Sequence, residues 1–202
     1  MAQGIGSDVA RHYNTLEEKG LDQRKESRIY YMRNFNNWTK SMLINEFAEK
    51  VKRAKPRRYD FDRSKLDLSD PEQSFTVLDI GCGKGGDLLK WSKANIDHFV
   101  GVDIAETSVD QAKARFREMK ERRNRSPRFT TEFHAADCTK TDLDDLYEEK
   151  SVTFDIVSCQ FAFHYCFESI AQADCMLRNI TKRLRHGGYF IGTTTDANDI
   201  GT

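Results

Sequence analysis

A glycine-rich turn between an apolar run and a helical pattern constrains the fold of this chain more than any other feature. Residues 76–91 read TVLDIGCGKGGDLLKW. The apolar run 77–80 leads into four glycines within six residues, Gly81, Gly83, Gly85 and Gly86. Because glycine has no Cβ atom, it accepts positive φ angles and lets a ligand approach the backbone closely. We therefore predict a strand, a ligand-binding turn and a helix in this order.

Short apolar runs alternate with helical patterns from residue 75 onward. The runs are TVLDI, HFVGVD, FTTEFHAAD, FDIVSCQF and GYFIGTTT, and the helical patterns between them cover 84–94, 106–123, 141–149 and 168–185. We predict that Gly187 and Gly188 end the last of these helices. Such alternation is typical of an open, mostly parallel α/β sheet with right-handed crossovers, which binds its ligands at the carboxyl ends of the strands.

The first part of the chain has a helical pattern without strands. Apolar residues recur at three- and four-residue steps over residues 8–55, which predicts two or three helices. The polar, proline-containing segment 54–74 predicts a loop. We therefore divide the chain into an N-terminal helical extension, residues 1–60, and an α/β core, residues 75–202.

Composition and charge narrow the class of protein. The charges balance, with Lys+Arg 32 and Asp+Glu 32, so a preference for nucleic acid must come from local clusters such as residues 113–128. No apolar run approaches the ~20 residues of a membrane-spanning helix, and we expect no membrane partner. Five cysteines without a C-x-x-C pair, and no signal-peptide pattern, predict a reducing intracellular compartment. We interpret the cysteines as small hydrophobic residues and expect no metal.

The glycine pattern by itself fits two kinds of ligand. With Asp103 following Gly81 by 22 residues, it matches the fingerprint of dinucleotide-binding enzymes. Asp79, two positions before the first glycine, would repel a pyrophosphate by about 1 kcal/mol in a partly dry site. The same carboxylate would attract the amino group and the sulfonium of S-adenosylmethionine. It therefore favours that cofactor, and an NAD-dependent reductase is the less favoured alternative.

A third aspartate extends the series. Asp137, in HAADC after the third run, is placed to accept a hydrogen bond from an adenine amino group. Each aspartate alone also fits a strand-end cap or a solvated turn residue. The ordered set Asp79, Asp103 and Asp137 instead fits a cationic nucleoside with a ribose and an adenine. The pattern resembles the Rossmann-like class I methyltransferases, and DIGCGKGGD is a specific form of their cofactor loop.

Four segments narrow the resemblance to one family. RNFNNWTKSMLI at 33–44, LDIGCGKGGDLLKW at 78–91, FDIVSCQFAFHYCFES at 154–169 and MLRNITKRLRHGGYFIGTT at 176–194 together resemble the mRNA cap guanine-N7 methyltransferases of animals. The resemblance implies a Rossmann-like class I methyltransferase sheet, with five of the usual seven strands present here. It also implies methyl transfer from S-adenosylmethionine to N7 of the terminal guanosine of 5′-capped RNA.

The resemblance also implies site residues. Together with Asp79 and Gly83 of the turn, the cofactor contacts fall on Lys40, Gly81, Asp103, Asp137, Gln160 and Tyr165. The cap contacts fall on Asn36, Asn37, Lys84, Lys90, Arg115 and His164. The family's role further implies a nuclear location, and other capping-apparatus proteins or a small activating subunit as partners. The basic segment KRAKPRR at 52–58 fits a nuclear localisation signal or a solvated helix end.

The chemistry of methyl transfer agrees with these assignments. Several of the assigned residues also fit a purely structural role. Guanine N7 already carries a lone pair, so we expect no catalytic base; alignment of the two reactants is the main contribution. Lys84, Lys90 and Arg115 can neutralise a triphosphate bridge or simply form a solvated helix face. His164 and Tyr165 can stack on a base, although His164 also fits a core histidine. An Asn-Asn pair is usually a turn or helix boundary.

The chain also departs from the family's pattern. It ends at Thr202, whereas the family's members continue for over a hundred residues, including an acidic and an aromatic side chain of the guanine pocket. We therefore expect a shortened isoform, a partial gene model or an expressed fragment, with strand five as an exposed edge. The main hypothesis is a cap methyltransferase with an intact cofactor half, whose activity depends on the missing part. The alternative is a truncated, non-catalytic fragment that binds cofactor or RNA or pairs with another protein.

Overall fold

The computed structural model describes residues 5–15, 27–55, 74–121 and 126–196. Five helices cover the ranges α1 Ile5–Thr15, α2 Tyr30–Ala54, α3 Leu88–Lys93, α4 Glu106–Glu121 and α5 Ile170–Thr181 in this part of the chain. Five strands cover β1 Thr76–Ile80, β2 His98–Asp103, β3 Thr130–Ala135, β4 Phe154–Gln160 and β5 Leu184–Thr193. Two 3₁₀ helices, Leu143–Asp145 and Phe163–Glu168, flank β4.

The strands form one parallel sheet in the order β3-β2-β1-β4-β5. All residues of β1 and β4 are buried, as expected for the centre of a parallel sheet covered on both faces. The order reverses direction between β2–β1 and β1–β4, so the carboxyl end of β1 is the switch point at which such sheets bind ligands. The predicted five-stranded α/β sheet is therefore confirmed.

Helices cover both faces of the sheet. On one face α2 buries Ile44, Ala48 and Val51 in a cluster that also contains Trp91 of α3 and Phe116 of α4. On the other face Met176 and Ile180 of α5 pack with Leu78, Val100 and Val157 of the three central strands. The result is a three-layer sandwich whose upper rim, at the strands' carboxyl ends, carries the glycine turn.

The N-terminal prediction is confirmed in outline where the structure describes it. Residues 5–15 and 30–54 are helical, and the predicted helical residues 16–26 lie outside the described part. Most of the predicted loop 54–74 lies there too. No helix in the described ranges is long and apolar enough to span a membrane.

Two predicted elements are wrong. The segment 141–149 was predicted to be helical but contains only the 3₁₀ helix Leu143–Asp145. The N–H of Leu143 donates to the buried side chain of Asn179 at 3.0 Å, and the N–H of Glu148 donates to the side chain of Glu132 at 2.9 Å. These tertiary bonds replace the helical ones. The last helix ends at Thr181, and Gly187 and Gly188 lie within β5.

An ion-pair network explains why β5 begins before these glycines. Asp155 at the start of β4 is buried and pairs with Arg185 at 2.6 Å and with Lys55, just after α2, also at 2.6 Å. Arg185 therefore has to lie beside β4. The glycines take up the resulting register shift: Gly187 has φ +80°, and a Cβ on Gly188 would lie 2.9 Å from the carbonyl of Asp155. β5 forms an edge of the described sheet, with Phe190 39% exposed.

Candidate functional site

The glycine turn is a backbone structure that larger residues cannot adopt easily. Gly81, Gly83 and Gly85 have φ values of +73°, +50° and +68°. A Cβ on Gly81 would lie 2.6 Å from the Cβ of Ala162, so Gly81 is also needed for close packing against the end of β4. A Cβ on Gly83 would meet no atom within 4 Å. The turn is therefore packed at Gly81 and open at Gly83, where a ligand can approach the backbone.

A cleft lies on one side of this turn. Its lining comes from α1, from the turn, and from the ends of β2, β3 and β4. The lining residues include Val9, Tyr13, Ile80, Gly81, Asp103, Ile104, Ala136, Asp137, Ala162, Tyr165 and Met176. Apolar walls with carboxylates at two strand ends suit a flat heterocycle joined to a polar sugar.

Asp103 and the turn hold each other in place. One oxygen of Asp103 accepts the N–H of Gly83 at 2.8 Å, and the other accepts the N–H of Ala105 at 2.9 Å. Burial raises the pKa of Asp103, while these two N–H groups oppose the rise. Each carboxylate oxygen can accept a second hydrogen bond, so Asp103 can still bind the hydroxyl groups of a sugar in the cleft.

Asp137 lies at the far end of the same cleft. Its carboxylate accepts the N–H and the hydroxyl of Thr139 at 3.0 and 2.6 Å, and pairs with Lys140 at 3.2 Å. Burial alone would raise the pKa of Asp137, but Thr139 and Lys140 outweigh it and lower the pKa. Asp137 is thus a charged acceptor, which suits an exocyclic amino group.

Helix α1 closes the cleft from above. Ile5 N–H donates to Glu168 at 3.1 Å, and the side chain of Asn14 accepts Thr107 N–H at 3.1 Å, so both ends of α1 are attached to the core. Burial, together with Tyr165 and the charge of Asp103, raises the pKa of Tyr13 to about 12. The Tyr13 hydroxyl therefore lies among the groups that face the cleft.

Asp79 lies on the face of the sheet that is covered by α2 and α3. It is 3% exposed and lies next to Ser158 of β4 in the sheet register. Burial and then the charge of Asp87 raise the pKa of Asp79 to about 7, while Ser158 and Lys40 oppose the rise. A cationic group of a ligand beside Asp79 would favour the ionised form of this buried carboxylate.

Asp87, at the end of the turn, forms ion pairs with two lysines to which the family resemblance assigns different ligands. Its two oxygens lie 2.8 Å from the ammonium nitrogens of Lys40 and Lys90. The Lys40 contact is a hydrogen bond, whereas Lys90 is only ion-paired with Asp87 and donates its hydrogen bond to the side chain of Asn37 at 3.0 Å. We call Lys40, Asp79, Asp87 and Lys90 the charged cluster. Because Asp79 precedes Ile80 and Gly81, which line the cleft, the cleft and the charged cluster lie at the same strand end.

The remaining predicted residues are not among those that line the cleft or form the charged cluster. Gln160 is buried at the end of β4, between the hydroxyls of Ser158 and Thr193. The rings of His164 and Tyr165 are tilted by 47° with centroids 4.3 Å apart, and Nδ1 of His164 lies 3.4 Å from the Thr194 hydroxyl. Lys84 is partly buried in the turn. The side chains of Asn36 on α2 and Arg115 on α4 make no hydrogen bond or ion pair within the described ranges.

The sequence pattern did not indicate two residues of the candidate site, Asp87 and Tyr13. Asp87 follows the glycines directly, where an aspartate ordinarily caps the next helix, so its type gave no separate signal. Tyr13 lies in a helix whose contact with the cleft depends on the tertiary fold. Val9 and Tyr13 share one face of this helix, which indicated only that the face is buried.

Comparison with known proteins shows the family. Residues 1–201 match the model described as the mRNA (guanine-N(7))-methyltransferase domain. The chain is 49% identical over 195 residues to the mRNA cap guanine-N(7) methyltransferase of Drosophila melanogaster, covering 95% of this chain and 42% of that protein. It is 41% identical over 198 residues to the Schizosaccharomyces pombe protein of the same name, covering 98% and 48%. The chain thus spans somewhat less than half the length of these relatives.

A solved structure supports the fold. The plantazolicin methyltransferase BpumL in complex with SAH superimposes with a TM-score of 0.56 at 16% identity, over 98% of this chain and 61% of that one. This chain therefore shares the fold of that protein.

The buried Asp79 leads to a prediction about pH. Its pKa is about 7 in the folded chain against 3.8 ordinarily, so between about pH 4 and 7 the folded state binds a proton that the unfolded state lacks. The stability from this proton is complete near pH 4 and is lost as the pH rises through 7. Asp79→Asn stays neutral and should abolish this loss, so from pH 5 to 8 the parent should lose on the order of 2 kcal/mol more than the variant.

Urea unfolding of both proteins at pH 5 and pH 8 measures the difference. Asp145→Asn, which removes an exposed carboxylate, is the matched control and should follow the parent. Equal pH dependence of the parent and Asp79→Asn would show that Asp79 is already ionised in the folded chain.

Proposed function

This chain belongs to the mRNA (guanine-N7)-methyltransferase family, and we propose that it binds S-adenosylmethionine and transfers a methyl group to N7 of the guanosine that caps an mRNA. The observation that carries the proposal is the set of carboxylates at three adjacent strand ends. Asp79 lies near the end of β1, Asp103 ends β2, and Asp137 follows β3 around an open glycine turn. Their chemistry matches the amino acid, ribose and adenine of the proposed cofactor in that order.

We propose a distinct task for each side of the turn. In the cleft, Asp103 would bind the ribose hydroxyls and Asp137 the adenine amino group, with Gly81, Gly83 and Tyr165 as backbone and ring contacts. Gln160 would contact the cofactor from the end of β4. In the charged cluster, Lys40 would bind the carboxylate of the cofactor's amino acid, and Asp79 would lie near its cationic groups. When bound, S-adenosylmethionine supplies a methyl group that its sulfonium charge activates.

The cap would lie beside the charged cluster. Asn37 and Lys90 already bond to each other there, and Lys84 lies in the adjoining turn. We propose that these residues, with Asn36, Arg115 and His164, bind the guanosine and the phosphates. Guanine N7 has a lone pair at neutral pH, so these residues need to remove no proton. Their contribution is alignment, and misplacement by about 1 Å can cost roughly a hundredfold in rate.

Calorimetry with S-adenosylhomocysteine tests the cofactor half of the proposal. We expect binding, and we expect Asp103→Ala to weaken it by about 1–3 kcal/mol because charge-assisted bonds to the ribose are lost. Asp110→Ala, on the exposed side of α4, is the control and should bind like the parent. Superimposable isotherms for Asp103→Ala and the parent would remove Asp103 from the site. Tighter binding of NADH than of S-adenosylhomocysteine would contradict the cofactor class.

A transfer assay tests the reaction. With radiolabelled S-adenosylmethionine, the proposed reaction would place label at N7 of RNA carrying an unmethylated GpppA cap. RNA with a 5′-triphosphate and RNA whose cap already carries the N7 methyl are the controls, and both should stay unlabelled. Binding of S-adenosylhomocysteine without transfer would contradict an independent enzyme and favour a cofactor-binding fragment.

We extend the proposal to a nuclear location, since the relatives' names place the family in mRNA capping. In the basic segment 52–58, Lys52 and Arg53 lie in the last turn of α2, Lys55 pairs with buried Asp155, and residues 56–58 lie outside the described part. A reporter fused to residues 48–62 should accumulate in the nucleus. Diffuse signal throughout the cell would contradict the assignment of this segment.

A further inference from the structure

Asp87 does not do what an aspartate at its position ordinarily does. It precedes α3 at the N-cap, where its side chain would be expected to accept an N–H of the first helical turn. No such bond forms. Instead the carboxylate, of a residue 7% exposed, is shared between Lys40 and Lys90 at 2.8 Å each. Its position is therefore determined by the two ammonium groups rather than by the helix.

The two lysines come from different helices and have different proposed ligands. Lys40 lies on α2 and faces the charged cluster with Asp79, whose pKa responds to both Lys40 and Asp87. Lys90 lies on α3 and bonds to Asn37, which belongs to the proposed cap site. One carboxylate therefore neutralises a cation at each site. As long as Asp87 holds Lys90, that ammonium group is only partly available to a phosphate.

On the basis of the proposed function, we propose that Asp87 is a positioning residue that couples the two sites by exchanging cations. The amino-acid part of the cofactor carries both an anion for Lys40 and an ammonium group for Asp87. Its ammonium would take the place of Lys90 beside Asp87 and release Lys90 to the phosphates of the cap. Binding of the cofactor would thereby strengthen binding of the cap, and the reverse follows by linkage.

The coupling can be measured by binding alone. The affinity of the parent chain for the dinucleotide GpppA is determined by calorimetry without additive, with S-adenosylhomocysteine, and with 5′-methylthioadenosine, which has the nucleoside but no amino-acid part. We expect S-adenosylhomocysteine to tighten GpppA binding roughly five- to tenfold. Methylthioadenosine should leave it unchanged, because it brings no ammonium group to Asp87.

Asp87→Asn distinguishes positioning from a structural role. Its Lys90 is already released, so without additive it should bind GpppA as tightly as the parent does with S-adenosylhomocysteine, and the additive should then have no effect. Loss of a structural residue would weaken binding instead. Asp144→Asn is the matched control, since Asp144 likewise pairs with two cations, Lys182 and Arg183, each at 2.9 Å. Circular dichroism shows whether each variant is folded.

The outcomes separate this inference from the proposed function. If both ligands bind the parent independently, or if methylthioadenosine acts like S-adenosylhomocysteine, the coupling is wrong while the proposed function stands. Weaker GpppA binding by Asp87→Asn also contradicts it. If either ligand fails to bind the parent, the proposed function fails, and the inference fails with it.

Discussion

The site depends on one mutual restraint, between the glycine turn after β1 and the carboxylate that ends β2. Gly81 and Cys82 both donate to the carbonyl of Val102, at 2.8 and 3.1 Å, and so continue the β1–β2 pairing into the turn. Asp103, the next residue, binds the N–H of Gly83. The positive φ of Gly81 makes this path possible, and the contact between Gly81 and Ala162 brings the end of β4 against the same point. Three strand ends therefore meet within one small region.

Two different environments, the cleft and the charged cluster, lie on the two sides of this region. Below α1, the cleft combines apolar walls with carboxylates that backbone and hydroxyl donors hold in place. Between α2 and α3, the charged cluster balances two buried carboxylates against two ammonium groups. Removing charges from water is costly, so such a cluster is retained where it is paired and hydrogen-bonded. The arrangement fits a ligand that is flat and largely apolar at one end and zwitterionic at the other, which is the form of the proposed cofactor.

Periodicity predicted the parts of the structure that depend on local sequence. The strands of the core and the turn were predicted because buried parallel strands are nearly continuous apolar runs and glycine marks positive φ. The prediction that Gly187 and Gly188 end the last helix was wrong because a helix end and a shifted strand register both need glycine. Only the distant ion pair of Arg185 with Asp155 decides between them. The prediction of a helix over residues 141–149 was wrong because the side chains of Asn179 and Glu132, which are distant in sequence, accept hydrogen bonds from its backbone.

The candidate site was predictable to a similar extent. Residues at strand ends could be assigned because topology brings strand ends together, and family resemblance supplied the others. The contact of Tyr13 with the cleft and the pairing of Asp87 with Lys40 depend on how α1 and α2 pack on the core, which no local pattern encodes. The most direct measurement of the whole account is a crystal structure of this chain with S-adenosylhomocysteine. In that structure, adenine should lie beside Asp137, the ribose on Asp103, and the amino-acid group beyond Gly81 at Asp79 and Lys40. A ligand bound outside the cleft, or one whose amino-acid group points away from Asp79, would contradict it.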